Sequence, residues 1–188
     1  MKVSKEKAAQ HHEAIISAGS RMIRERGFDG VGVAEIMSEA GLTQGAFYGH
    51  FASKDALCVE ACRTAFEARA KQWDKTPSLS KYVDLYLSVS HRDNPGRGCP
   101  IASLAAHISG QSPSIRKQFS AGVFAFTERI AKALPFEGST NIKRRHAAAI
   151  LSVMVGSLVL ARATKGDRQL SNRILAEARA SISLNYGL

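Results

Sequence analysis

Thr43, Gln44, Tyr48 and His50 are the polar side chains of GLTQGAFYGHF (residues 41–51). That stretch holds three glycines, three aromatics and no charged residue, in a chain of net charge +10. A glutamine amide can pair bidentately with a base edge, and a threonine or tyrosine hydroxyl can reach a phosphate. Gly45, Ala46 and Gly49 keep the surface between these side chains low, so backbone can approach a partner closely. The absence of Asp and Glu suits a polyanion. Lys54 follows at the start of the next helix, where its charge joins exposed backbone N–H groups that hold phosphate well.

Such side chains need firm elements to present them. Val33, Ile36, Met37 and Ala40 repeat at helical spacing and predict a short helix ended by Gly41. Thr43 can cap the next helix, over about 44–50, through its hydroxyl. Two short helices with a tight glycine turn between them form a helix-turn-helix pattern. Phe47 and Phe51 share a face with Leu42 and should anchor the second helix, which leaves Gln44, Tyr48 and His50 outside.

An earlier helix carries Ile15, Ala18, Gly19, Met22 and Ile23 and stops at Gly27. Ser53 can cap a long helix from about Lys54 to Asp74. Beyond Pro77 one helix carries Tyr82, Leu85, Tyr86 and Val89, and another opens at Pro100. A third opens at Ser112-Pro113 with Ile115, Phe119, Phe126 and Ile130 on one face. Two more follow, about 142–164 and 167–184. No convincing strand alternation is present. The fold class is all-α, about nine helices. An N-terminal three-helix helix-turn-helix domain covers residues 1–53 and a C-terminal helical domain residues 54–188, with the helix from about 54 to 74 connecting them.

At 188 residues and 45% apolar content the chain buries a real core. Three cysteines are no disulfide framework, and the N-terminal residues lack a long apolar run, so a reducing cytoplasm is expected. The basic excess points to an acidic partner but does not locate it. Residues 1–75 hold 11 Lys and Arg against 10 Asp and Glu, whereas residues 76–188 hold 15 against 6. Lys2, Lys5 and Lys7 read either as a basic arm or as a solvated terminus. His11-His12 lacks the companions of a metal site.

The run GFDGVGVAEIMSEAGLTQGAFYGHFASKDAL, residues 27–57, resembles the TetR family of bacterial transcriptional regulators. The stretch GCPIASLAAHISGQSPSIRKQF (98–119) also resembles the C-terminal region of some members. The resemblance implies that Gln44, Gly45 and Ala46 face bases and that Thr43, Tyr48, His50 and Lys54 face phosphates. His50 can equally cap its own helix through a backbone carbonyl, and Tyr48 can be a plain surface tyrosine. Three positions depart from the family's pattern. Gly32 stands where a hydroxyl cap is frequent, Met37 where alanine is usual, and Ala46 has only a methyl to offer a base.

By the same resemblance the C-terminal helices hold an apolar ligand cavity and a dimer interface. Candidate lining residues are Phe66, Trp73, Tyr82, Tyr86, Ser103, His107, Phe119, Phe126 and Met154; aromatic residues at helical spacing also read as plain core. The uncharged run AAAILSVMVGSLVLA (147–161) is too short for a membrane span and predicts a helix buried on more than one side. Val155 and Leu158 are expected at the interface between copies, with Leu170, Ile174, Ala178 and Ile182 as the matching stripe on the last helix. Cys58 and Cys62 read as core. Cys99, after Arg97 and Gly98 and at a helix start, reads either as a redox or electrophile sensor or as a cysteine that packs its loop.

The resulting expectation is a cytoplasmic, ligand-responsive DNA-binding transcriptional regulator, a repressor released from a palindromic operator by a small molecule. Its partners are double-stranded DNA, an unknown small-molecule effector and a second copy through the last two helices. No membrane, cofactor, metal or catalytic set is expected. The alternative is a helical small-molecule-binding protein or enzyme whose helix-turn-helix is only structural. A constitutive architectural DNA-binding protein, a third reading, predicts no ligand effect.

Overall fold

The structure, a computed structural model, describes residues 4–188. It contains nine α-helices and three short 3-10 segments, with no strand among the described residues. Helix α1 (Lys5–Arg26) begins well before the apolar stripe at Ile15, because Ser4 caps it by accepting the Lys7 N–H at 3.2 Å. Lys5 and Lys7 therefore lie on an exposed first turn and not on an extended arm; Lys2 lies outside the described residues.

Helix α2 (Val33–Glu39) starts at Gly32, which has no hydroxyl to give. Glu35 supplies the other half of a capping box by accepting the Gly32 N–H at 2.9 Å. The helix ends in a Schellman turn. Gly41 sits at φ +72°, its N–H bonds the Ser38 carbonyl, and the Leu42 N–H bonds the Met37 carbonyl at 2.8 Å. The following segment, Gln44–Gly49, winds as a 3-10 helix, tighter than the α-helix expected there. Thr43 occupies its cap position, but its hydroxyl makes no cap bond. Its backbone carbonyl takes the Ala46 N–H instead, at 3.1 Å, and so removes a donor that the hydroxyl would have used.

Helix α3 (Lys54–Asp74) is capped by Ser53, which accepts the Ala56 N–H at 3.1 Å. Leu57 joins a smaller core with Ile15, Met22, Ile36, Phe47 and Phe51, while Cys58, Ala61 and Cys62 face a larger one. The cysteines behave as core residues: burial pushes the Cys58 thiol up to about 11 and Cys62 up to about 12.

The single helix expected over Tyr82–Val89 is two, α4 (Leu79–Tyr86) and α5 (Val89–Asp93). Ser88 starts the second by accepting the His91 N–H at 3.1 Å, and this break leaves Leu85 and Val89 exposed. Helix α6 (Pro100–Leu104) is short and continues as a 3-10 turn to Gly110. Helix α7 (Pro113–Ala133) packs on α3. Gly122 makes that possible, since a Cβ there would stand 2.4 Å from the Phe66 ring.

Helices α8 (Thr140–Ala163) and α9 (Arg168–Tyr186) pack together. Helix α8 is long and apolar enough to cross a membrane by length and composition. Here one face, with Met154 and Leu158, is fully buried in the chain's own core, whereas Val153, Val159 and Leu160 on the other are exposed. Leu158 is thus a core residue and not an interface residue. The α9 stripe divides in the same way: Ala178 and Ile182 are buried within the chain, Ile174 is half-buried and Leu170 is exposed.

Candidate functional site

The 3-10 segment and its flanks form one face of the smaller core. Phe47 and Phe51 are buried beneath it, their rings stacked at 5.7 Å, and they fix the orientation of the residues between them. Tyr48 consequently stands out at 76% exposure, and Thr43, Gln44 and Gly45 are exposed beside it. A Cβ added at Gly41, Gly45 or Gly49 would meet nothing within 4 Å, so the surface between the polar side chains is open down to backbone. Ala46 is half-buried and packs against the smaller core.

His50 is half-buried beside His11 and His12, with ring centroids 6.2 and 6.1 Å away. Burial, then the like charges of those two rings, lower its pKa and so disfavour the imidazolium. Lys54 departs from the expected free phosphate ligand. Its ammonium donates to the Phe28 carbonyl at 2.7 Å and ties the start of α3 to the loop after α1.

Residues 15–61 match the family profile described as "Bacterial regulatory proteins, tetR family". That N-terminal segment is of the TetR type. Over 168 residues the chain is 26% identical to an uncharacterized HTH-type transcriptional regulator of Lactococcus lactis, covering 81% of this chain and 84% of that one. It is 22% identical over 131 residues to the HTH-type transcriptional repressor NemR of Escherichia coli K12, covering 65% and 66%. The fold agrees with the crystal structure of reduced E. coli NemR (TM-score 0.76, 20% identity, 92% and 94% covered). It also agrees with a TetR regulator from Chloroflexus aurantiacus (TM-score 0.77, 21% identity, 95% and 96% covered). The chain is a DNA-binding transcriptional regulator, and the face built on Phe47 and Phe51 lies within the matched segment.

In the C-terminal part of the regulator the aromatic candidates mostly pack on one another. Trp73 lies against Tyr82 and Phe126, and Phe66 against Phe119. Tyr82, Tyr86 and Met154 are fully buried. Ser103 accepts a bond from Arg162 at 3.2 Å. His107 stands apart: it is exposed, and its ring lies beside Gly27 at the end of α1. Cys99 is 1% exposed, and its N–H donates to His91 Nε2 at 2.8 Å. The loop before it is tied down by Arg24 of α1, which donates to the Gly96 carbonyl at 2.8 Å.

Charge inside this region escaped the sequence reading. Arg69 is 6% exposed, and it stacks over the Tyr82 and Tyr86 rings at 5.6 and 5.7 Å. His91 donates from Nδ1 to the Tyr86 carbonyl at 2.7 Å and accepts from Cys99 at Nε2, so both nitrogens are used in the neutral form. Burial and then Arg69 push its pKa down to about 3. One signal was available: Arg69 continues the buried α3 stripe of Cys58, Cys62 and Ala65 at helical spacing, where a cation is out of place.

Proposed function

We propose that the protein is a ligand-responsive repressor: a cytoplasmic homodimer that holds a palindromic operator and leaves it when a small molecule occupies the C-terminal helices. The observation that carries the reading is the exposed Gln44–Tyr48 face with open glycine backbone between its side chains. In this arrangement Gln44, Gly45 and Ala46 meet base edges, while Thr43, Tyr48 and His50 meet phosphates; Lys54, held by the Phe28 carbonyl, has two ammonium N–H left for a phosphate. The division into residues 1–53 and 54–188 is supported by two cores, although α1 and α3 both contribute to each and Phe28 joins the larger one.

The uncovered α8 face of Val153, Val159 and Leu160 supports dimerisation, since contiguous exposed apolar surface marks an interaction site. Two recognition segments then need half-sites about 34–36 Å apart, or a multiple. Selection from random duplex DNA, followed by footprinting, tests this. A palindromic site whose preferred bases change in Gln44→Ala is expected. Equal binding to single-stranded DNA, or a site that Gln44→Ala leaves unaltered, overturns it.

A further inference from the structure

Arg69 is a buried cation without a counter-ion. Its Nη2 donates to the Tyr82 hydroxyl at 2.9 Å and its Nη1 to the Gln72 side-chain oxygen, but Nε has no partner. The Tyr86 hydroxyl beneath the guanidinium, fully buried, has none either. Three further arginines gather in the same region: Arg24, Arg97 and Arg162. None of the four makes an ion pair among the described residues, although eight other arginine–carboxylate pairs do form. Arg24 and Arg162 bond only neutral oxygens. Arg97 is exposed and Arg24 and Arg162 are half-buried, so the anomaly is Arg69: buried charges are normally paired, because desolvation without a partner is costly.

Arg69 also walls a cavity of about 290 Å³ between α3 and the α4–α5 segment. Gln72, Ser88, Ser90, Asn94 and Arg97 give it polar walls, Leu85 an apolar one, and no acidic residue lines it. We propose that this cavity binds a small organic carboxylate and is the effector site of the regulator, an assignment that rests on the ligand-responsive reading above. A guanidinium fork matches a planar carboxylate in shape and charge. The cavity is larger than a bare oxyanion needs and lies near the lower end of small-molecule sites, so the ligand carries a short carbon body that packs on Leu85.

The position of the cavity supplies the coupling. Asn94 and Arg97 flank Gly96, whose carbonyl is gripped by Arg24 of α1. The approach is close: a Cβ at Gly96 would meet the Glu25 carboxylate and Arg21 Cγ, both on α1. A carboxylate that draws Arg97 and Asn94 inward shifts Gly96 relative to Arg24. Helix α1 packs on α2, and so the DNA-binding face feels the change. Release follows if the ligand prefers the shifted arrangement, since a ligand moves an equilibrium only by its differential affinity.

The test is calorimetric titration of the full chain with acetate, butyrate, benzoate, butyramide, benzamide and inorganic phosphate, beside operator affinity at saturation. At least one carboxylate should bind, with its amide and phosphate about tenfold weaker or worse, and saturation should weaken operator binding about five-fold or more. Arg69→Gln should weaken carboxylate binding at least about tenfold. Ser90→Glu, at an exposed position on the cavity wall, places a carboxylate there internally and should exclude the added one; it decides the matter if Arg69→Gln does not fold. Absence of carboxylate binding, equal binding of amides or phosphate, or binding unaltered in both variants overturns the site. Carboxylate binding with unchanged operator affinity overturns its effector role. If neutral compounds release the operator and no carboxylate binds, the carboxylate site fails while the ligand-responsive reading stands.

Discussion

The helix-turn-helix face and the region around Arg69 place polarity in opposite ways. In the first, an apolar core of Phe47, Phe51, Ile36 and Met37 lies beneath, and polar groups stand outside it, where water satisfies them until DNA arrives. In the second, polar groups lie inside: Arg69, His91 and Tyr86 are all buried, and two of them keep an atom without a partner. Recognition of a large polyanion needs an open, low surface. Recognition of a small ion needs a desolvated charge that only the correct partner neutralises. The two buried arginines of the second region sharpen the contrast. Arg92, 2% exposed, bonds both Asp93 carboxylate oxygens, the Ser171 hydroxyl at 2.8 Å and Asn172 at 2.8 Å. Arg69 has no carboxylate.

The largest expected effect concerns acid. His91 has a folded pKa of about 3 against an ordinary 6.5, so the unfolded chain binds its proton more readily. Its contribution to stability is complete above pH 6.5 and is lost as pH falls towards 3, at about 1.4 kcal/mol per unit and up to about 5 kcal/mol in all. Denaturant titrations between pH 7.5 and 4.5 should show this loss, and His91→Asn should flatten it. An equally steep loss in the variant would place the acid sensitivity elsewhere.

The arginines come next. Arg92→Met should destabilise by about 3–5 kcal/mol, because it leaves Asp93, Ser171 and Asn172 without their common donor. Arg69→Met should change stability by less than about 1 kcal/mol or raise it, since it removes a charge that has no counter-ion. Urea midpoints measure both, and equal losses would erase the distinction between a structural and a ligand-awaiting arginine.

Gly122→Ala should cost about 1–3 kcal/mol, because the added methyl meets the Phe66 ring and α3 and α7 must part. A thermal melt identical to wild type would show that the ring has room to turn. On the DNA face, Gln44→Ala should cost about 1–3 kcal/mol at the best site and much less at others if its contact is bidentate. On the same face Lys54→Ala is expected to do less than Gln44→Ala. It should cost about 1 kcal/mol of stability through the lost Phe28 bond. If its ammonium also reaches a phosphate, the salt dependence of DNA binding should fall by about one unit. A salt dependence equal to wild type would make Lys54 purely structural.

Sequence by itself determined the all-α class, the helix-turn-helix and its exposed polar face. These depend on local periods and turns: Val33, Ile36 and Met37 at helical spacing, Gly41 where φ must be positive, and Phe47 with Phe51 four apart to fix which side faces out. The serine cap at Ser53 was legible for the same reason, since it bonds an N–H three residues on. Details decided by competition between neighbouring bonds were not legible. The Thr43 hydroxyl lost its donor to the backbone, and Ser88 split one expected helix into two. Only the tertiary structure decided that Leu158 faces inward while Leu160 does not, and that Lys54 bonds a carbonyl 26 residues away. The same holds for the cavity of Arg69, whose walls come from residues 69–72 and 85–97. A short polar segment shows its chemistry by its own spacing. An unpaired buried charge is defined by what fails to reach it, and that depends on the packing of every element around it.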